Sequence, residues 1–216
     1  VSAGLAGIHP DKIISKILLP ALVAPLVAGL ASALATKLAY GITSHIKGHA
    51  ETTFKHGQTI SASMVALAHG TSDGQKTMGI ITLVLVAAGL QESGTRPHWW
   101  VIALAGIAIG LGTYSGGWRI MRTMGKGMVD IEAPQGFAAE TSSTIAILAS
   151  SHLGFGLSTT HVASGSILGS GVGKEPGSVR WSTAARMFIA WLLTLPAAAI
   201  VGALAALLAT RGLLGV

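Results

Sequence analysis

The sequence predicts an all-α membrane protein built from transmembrane helices. Half of its 216 residues are hydrophobic and 10% are charged, whereas about a quarter of an average soluble domain is charged. A water-soluble monomer of this composition would lack the polar surface that it needs. Three apolar runs are long enough, at about 1.5 Å per helical residue, to cross the ~30 Å hydrocarbon core of a bilayer. Two further apolar segments are interrupted by polar blocks, which predict one broken helix and one re-entrant helical hairpin.

The positive charge of the chain does not indicate a nucleic-acid partner. Fourteen Lys and Arg residues against eight Asp and Glu give a net charge of +6, but most of these bases lie between apolar runs, where membrane topology explains them. The chain contains no cysteine, which excludes disulfides and cysteine-ligated zinc or iron–sulfur sites. No cofactor is predicted.

The first element is a spanning helix over Ile13–Thr36, interrupted only by Lys16, Pro20 and Pro25. The polar segment 37–58 follows, and we expect a basic interfacial loop or helix there. We divide the chain at this point into a first part, 1–58, and a transport repeat, 59–216. Four residues of this segment could in principle bind a cation, namely His45, His49, Glu51 and His56. Because Lys47 and Lys55 lie among them and would repel a metal ion, no metal site is predicted.

The second element, Ile60–Leu90, is apolar but contains the polar block Gly70–Lys76. A lipid-facing helix cannot hold such a block, because each unsatisfied polar group there costs several kcal/mol. Glycines on either side of Asp73 permit unwinding. We therefore expect a broken helix whose second half presents its positive N-terminal end to an anion.

Two more spanning helices are predicted over Trp99–Gly117 and Met187–Thr210, the second of which contains Pro196. Membrane helices tolerate proline because neighbouring groups satisfy the freed backbone. Gly106 and Gly110 have the four-residue spacing that lets helices approach closely, so we expect helix packing at these glycines.

Between these spans, Phe137–Gly173 consists of two apolar arms separated by a glycine-rich and hydroxyl-rich stretch. Each arm is too short and too polar to cross a bilayer alone, so we interpret the segment as a re-entrant helical hairpin with its tip buried in protein. The glycines of the second arm are expected to pack closely against a neighbour; they are Gly169, Gly171 and Gly173.

The distribution of basic residues supports the hairpin, because cytoplasmic loops collect Lys and Arg. If Phe137–Gly173 enters and leaves by one face, nine bases fall on the cytoplasmic side and four on the other. The nine are Lys37, Lys47, Lys55, Arg119, Arg122, Lys126, Lys174, Arg180 and Arg186. We expect a multi-pass protein of the cell membrane.

The polar block of the second element is the first candidate site, since ionisable residues at membrane depth usually mark an ion or substrate path. Asp73 and Lys76 lie three residues apart among hydroxyls and an amide, which indicates an anion site. One alternative is a structural ion pair that fills a helix kink. A nucleotide-binding P-loop is disfavoured, because Gln75 stands where that motif needs glycine.

The hairpin tip, Ser158–His161, is the second candidate site. Its three hydroxyls can replace water around an oxyanion, and their oxygens can also coordinate a dehydrated cation. One alternative is that the hydroxyls only bridge helices or cap their ends. Another is a nucleophilic triad of Ser158, His161 and Glu140 in a membrane-embedded enzyme, although no elbow motif surrounds the serine.

The motifs at these two places resemble those of the inorganic phosphate transporter family, the PiT-type cation–phosphate symporters. Ala68–Gly79 is similar to the family's signature at a broken helix, and 135–143 and 157–161 are similar to its hairpin sequences. The family usually has asparagine where Ser72 stands, and a proline where Gly156 and Leu157 precede the hydroxyl run.

The resemblance implies an inverted-repeat transporter of which this chain is one half, the C-terminal repeat, because only one copy of the broken-helix signature, around Gly70–Asp73, is found here. The other half is expected from an upstream segment, a separate chain or a second copy in a homo-oligomer. The implied activity is symport of inorganic phosphate with H+ or Na+ across the cytoplasmic membrane, not enzyme catalysis. Other tetrahedral oxyanions, sulfate above all, and a purely structural subunit are the alternatives.

The resemblance also assigns residues to the two ions. The expected phosphate ligands are Thr71, Ser72, Asp73, Gln75, Lys76, Thr77, Ser158, Thr159 and Thr160. The expected coupling-ion residues are Asp73, Ser72, Ser158, Glu140 and His161.

Overall fold

The computed structural model describes residues 9–45 and 50–208, in which helices are joined by turns and short loops. The α-helices in these ranges are α1 Pro10–Ile13, α2 Leu19–His45, α3 Ala50–Ala87, α4 Trp99–Arg122, α5 Ala133–His152, α6 Thr159–Lys174 and α7 Trp181–Leu208. Two π-helical turns, Ile14–Leu18 and Thr123–Met128, and one 3-10 turn, Pro176–Ser178, lie between them. The same ranges contain no strand, so the all-α prediction is confirmed.

Three helical segments of the described chain are long and apolar enough to cross a membrane, namely Asp11–Ser44, Trp99–Met128 and Trp181–Leu208. They overlap the three predicted spanning runs. These segments account for much of the hydrophobic composition of the chain. The last of them, α7, belongs to a separate compact unit that begins at Arg180. Pro196 lies inside α7 without ending the helix.

The predicted break in the second element is wrong, because α3 runs without interruption from Ala50 to Ala87. A glycine inside a helix costs only about 1 kcal/mol relative to alanine, so the glycines of the block permit unwinding without requiring it. The helix also satisfies polar groups of the block itself, since the Thr71 hydroxyl donates to the Leu67 carbonyl one turn back. No half-helix N-terminus therefore exists beside Asp73.

Of the two alternatives predicted for 37–58, a loop or a helix, the described residues are helical, and the interfacial position stays a prediction. α2 continues to His45 and α3 starts at Ala50, because the segment contains no proline that would end either helix. The predicted boundary between residues 58 and 59 falls inside α3, and the division into two functional parts stays a prediction. Of the residues considered for cation binding in this segment, Lys47 and His49 lie outside the described residues.

The predicted hairpin is present as two helices, α5 and α6, joined by residues 153–158. α5 starts with a capping box in which the side chains of Glu132 and Gln135 each accept from the other's backbone N–H. The chain turns after α5 at Gly154, whose φ of 68° is a left-handed conformation that suits glycine. α6 packs along α2, and α5 contacts both α2 and α3, so the hairpin tip lies between α2 and α3.

Small residues hold α6 against α2. Gly165, Gly169 and Gly173 recur every four residues on one face of α6. A Cβ atom on any of them would overlap the backbone of α2, at Pro25, Gly29 and Ala33 in turn. Close backbone approach of this kind is typical of membrane helix pairs. The expected close packing of the glycines in the second arm is confirmed.

The expected packing at Gly106 and Gly110 is not found. A Cβ atom at either position would meet nothing within 4 Å, so no other described helix of the same compact unit approaches α4 at these two glycines. Spacing alone shows that a close approach is allowed, while the position of the neighbouring helix decides whether it occurs.

A polar cluster joins the base of the hairpin to α2. Glu132 accepts a hydrogen bond from the Tyr40 hydroxyl at 2.5 Å and another from the Lys174 ammonium. The ammonium also lies 5.6 Å from the centre of the Tyr40 ring. The hydrogen bond from Lys174, followed by that from Tyr40, lowers the pKa of Glu132. The cluster therefore links the start of α5, the end of α6 and α2.

Gly169→Ala is expected to destabilise the protein, because its Cβ would displace the backbone of α2. Overpacking of this kind costs about 1–3 kcal/mol, against the ~1 kcal/mol that alanine normally contributes inside a helix. Gly110→Ala is the matched control and should be neutral or stabilising. Thermal unfolding of both variants in detergent measures the difference, and equal midpoints would contradict the α2–α6 contact.

Glu132→Gln is expected to lower stability by no more than about 1 kcal/mol at pH 7, since Glu132 is 57% exposed and solvent screens its ion pair. Its pKa is lowered in the folded state, so the stabilisation is present above the unfolded pKa and is lost as pH falls through the folded value. Unfolding midpoints of wild type and variant should converge below about pH 4. Glu92→Gln, in an exposed loop, is the control; a gap that persists in acid would contradict the assignment.

Candidate functional site

The candidate site is centred on the carboxylate of Asp73, at mid-length on α3. Lys76 donates to its Oδ1 at 3.0 Å, and Thr159 donates to its Oδ2 at 3.2 Å. Nδ1 of His69 lies 3.4 Å from the same Oδ2 and 3.0 Å from the Thr159 hydroxyl. His69, Asp73 and Lys76 are four and three residues apart, which places them on one face of the continuous helix.

The hairpin tip provides the other side of this site. The Leu157 carbonyl accepts from the Lys76 ammonium at 2.9 Å, and Thr159 is the first residue of α6. Ser158 caps that helix by accepting from the backbone N–H of His161 at 3.4 Å. The helix N-terminus that faces the site thus belongs to α6, and its partial positive charge favours an anion there.

The structure brings together three predicted ligands, Asp73, Lys76 and Thr159, with Ser158 beside them at the cap. Ser72 is buried on α3. The hydroxyls of Thr71 and Thr77 bond carbonyls of their own helix, as the unbroken backbone allows. Gln75 and Thr160 are exposed, and no hydrogen bond described for this chain joins either side chain to Asp73.

Two predicted coupling-ion residues lie elsewhere. Glu140 accepts from the Ser61 hydroxyl at 2.5 Å and from Gln58, both on α3, beside an open groove of about 530 Å³. The His161 side chain hydrogen-bonds to the backbone of Ala21 on α2. The nucleophilic triad is therefore not assembled, because the partners of its carboxylate and imidazole are on different helices.

No role was predicted for His69, although its side chain contacts Asp73. It precedes Asp73 by four residues, the spacing that places two side chains on one face of a helix. This spacing indicates a contact only if the helix is continuous, and a break was predicted at this point. Gln58 and Ser61 are three residues apart, which also places both on one helical face, and both donate to Glu140.

The arrangement offers groups of both signs to small ions. The Lys76 ammonium, the Thr159 hydroxyl and the α6 N-terminus can donate to an anion, and the Asp73 oxygens can bind a cation. The side chains of Asp73, Lys76 and His69 are 33%, 47% and 43% exposed, so the site is open at the surface of this chain. Among the described residues no group of three His, Asp or Glu is placed to hold a metal.

Relatives of known sequence share this region. Residues 41–202 match the phosphate transporter family. The chain is 52% identical over 204 residues to a probable low-affinity inorganic phosphate transporter of Mycobacterium leprae, covering 94% of this chain and 49% of that protein. A protein of the same description from Bacillus subtilis is 40% identical over 152 residues, covering 70% of this chain and 46% of the relative.

The fold also matches a solved structure, described as the sodium-dependent phosphate transporter. The TM-score is 0.74 at 21% identity, with 89% of this chain and 65% of the other covered. The chain thus spans about half the length of the curated relatives that it matches. The matched segment contains α3, the hairpin and the Asp73 site. By its sequence, the chain belongs to the phosphate transporter family.

Proposed function

We propose that this chain forms one half of a transporter that carries inorganic phosphate together with a cation, H+ or Na+, across the cell membrane. The observation that carries the proposal is the contact between Asp73 and Lys76 on α3 and Thr159 and the Leu157 carbonyl at the hairpin tip. Similar proteins are described as inorganic phosphate transporters, and the similar solved structure as sodium-dependent.

Phosphate would bind where the donors of the site converge. The Lys76 ammonium donates one hydrogen bond to Asp73 and one to the Leu157 carbonyl. A phosphate oxygen could replace either acceptor. The Thr159 hydroxyl and the α6 N-terminus add neutral donors. In the proposed complex, phosphate and its cation exchange part of their hydration water for these groups.

The coupling to a cation follows from charge. Two like charges about 4 Å apart repel by about 4 kcal/mol at an effective dielectric constant of 20, so Asp73 and a phosphate dianion oppose each other. A proton on Asp73, or a sodium ion held by its oxygens with those of Ser72 and Ser158, removes the repulsion. Each ion therefore lowers the free energy of binding the other.

Glu140 and His161 are placed for supporting roles in this scheme. The two side chains that donate to Glu140, Ser61 and Gln58, are neutral, and Lys55 lines the same groove, so a proton or cation at this carboxylate would compete with that lysine. His161 is engaged with the backbone of α2, which favours a structural contribution.

A second half would close the site. The ion-binding side chains are one third to one half exposed, and the chain covers 49% of its first relatives. We propose that an inverted second repeat, from the same protein, another chain or a second copy, covers this face, and that alternating access occurs about the site.

Asp73→Asn is expected to reduce gradient-driven phosphate uptake about 10- to 100-fold, since 1.4 kcal/mol of lost cation binding is a factor of ten. Labelled-phosphate uptake into proteoliposomes holding the full-length transporter measures this, with Glu92→Gln as the control. Wild-type uptake by Asp73→Asn would contradict the assignment. Inhibition of wild-type uptake by equimolar sulfate would favour the broader oxyanion permease.

Thr159→Val is expected to weaken phosphate binding about 5- to 10-fold, because a hydrogen bond contributes about 1–1.5 kcal/mol. Thr159→Ser keeps the hydroxyl and should restore most of the affinity. Thr113→Val, on an exposed position of α4, controls for the general effect of the substitution. Equal affinities of the valine and serine variants would mean that the hydroxyl only joins α6 to α3, as a structural subunit requires.

A further inference from the structure

Two prolines at the start of the first spanning segment leave two backbone carbonyls without their usual helical partners. In an α-helix the carbonyl of residue i accepts from the N–H of residue i+4. Pro20 and Pro25 have no N–H, so the carbonyls of Lys16 and Ala21 lack that partner. A π-helical turn, Ile14–Leu18, precedes Pro20, and in it the Leu19 N–H donates to the Ile14 carbonyl five residues back.

The hairpin tip occupies both of these carbonyl positions. The backbone N–H of Gly156 donates to the Lys16 carbonyl at 2.9 Å. The His161 side chain hydrogen-bonds to the backbone of Ala21, whose carbonyl is the acceptor that Pro25 makes available. The Lys16 ammonium also lies 4.7 Å from the centre of the Phe155 ring.

These two anchors bracket the residues that face Asp73. Gly156 precedes Leu157 and Thr159 in the chain, and His161 follows them. Leu157 and Thr159 contact Lys76 and Asp73 on α3. The tip is thus bonded to α2 and its preceding turn on one side and to the ion pair of α3 on the other.

We propose that Pro20 and Pro25 are positioning residues of the phosphate site, which act by giving the hairpin tip two carbonyl acceptors on the first spanning segment. The inference rests on the proposed function for its ligand, whereas the anchoring of the tip is a property of this chain alone. His161 belongs to the same device, as the donor to Ala21.

The proposal predicts that stability and phosphate binding change in opposite directions. Alanine at position 20 or 25 restores an N–H that competes with the tip for the Lys16 or Ala21 carbonyl. Alanine is also the better helix former, by up to about 3 kcal/mol in a helix interior, so the variants should fold. If the prolines only shaped the helix, replacing them would not change hydrogen exchange in the hairpin, which is distant in sequence.

The test compares Pro20→Ala, Pro25→Ala and the double variant with Pro196→Ala, a matched change inside α7. Hydrogen exchange of the full-length protein in detergent reports the protection of the tip, residues 153–161. Equilibrium binding of labelled phosphate, measured without a membrane gradient, reports the site. The thermal midpoint reports stability.

We expect the protection of the tip amides against hydrogen exchange to fall about tenfold in the double variant. A tenfold change corresponds to about 1.4 kcal/mol in the free energy of local opening. We expect phosphate affinity to fall about 5- to 10-fold, in line with one lost hydrogen bond, with no fall in the thermal midpoint. Pro196→Ala should change neither tip protection nor affinity. His161→Gln, which keeps a donor, should bind phosphate better than His161→Phe.

Three results would overturn the inference. Unchanged exchange at the tip would show that the carbonyls do not anchor it. Faster exchange with unchanged phosphate affinity would show that the anchors do not position the site. Equal effects of Pro196→Ala would show a general response to proline removal. If the wild-type protein binds no phosphate, the proposed function fails, and the exchange data still decide whether the tip is anchored.

Discussion

A carboxylate that is partly buried between two helices is stabilised when groups of its own protein donate to it. Asp73 accepts from an ammonium on its own helix and from a hydroxyl of the hairpin. Separating α3 from the tip would leave both the carboxylate and Lys76 with fewer partners. The contact that holds the two elements together is therefore the same set of groups that can bind ions.

Close backbone packing makes this contact possible. α6 lies against α2 at three glycines where a side chain would overlap the opposing backbone, and this brings the α6 N-terminus to a defined depth. Because the approach is set by backbone atoms, it is less adjustable than contacts between long side chains. The hydroxyl of Thr159 consequently reaches Asp73 from a rigid element, as a selective binding group requires.

The site combines opposite charges that partly neutralise one another in the absence of ions. Lys76 and Asp73 stabilise each other. In the function proposed above, a phosphate ion that binds the ammonium would leave the carboxylate to a cation, and this exchange of partners would couple the binding of the two ions. The helix N-terminus next to the ion pair belongs to α6, while α3 is continuous.

The helical class, the spanning runs, the hairpin and the two polar segments that meet at the site could all be predicted from the amino-acid sequence. These follow from length, hydrophobicity and turn residues, which are local properties. The sequence could not determine that α3 stays continuous across its glycines, because that depends on whether the partners of its polar groups lie within the helix or outside it.

The tertiary structure was needed to show which of the candidate side chains lie in one site. It joined His69 and Thr159 to Asp73, and it directed Glu140 to Ser61 and His161 to Ala21. Composition and spacing place a residue on a helix and on one of its faces. Which neighbour that face meets depends on the packing of helices distant in sequence, and no local pattern contains that information.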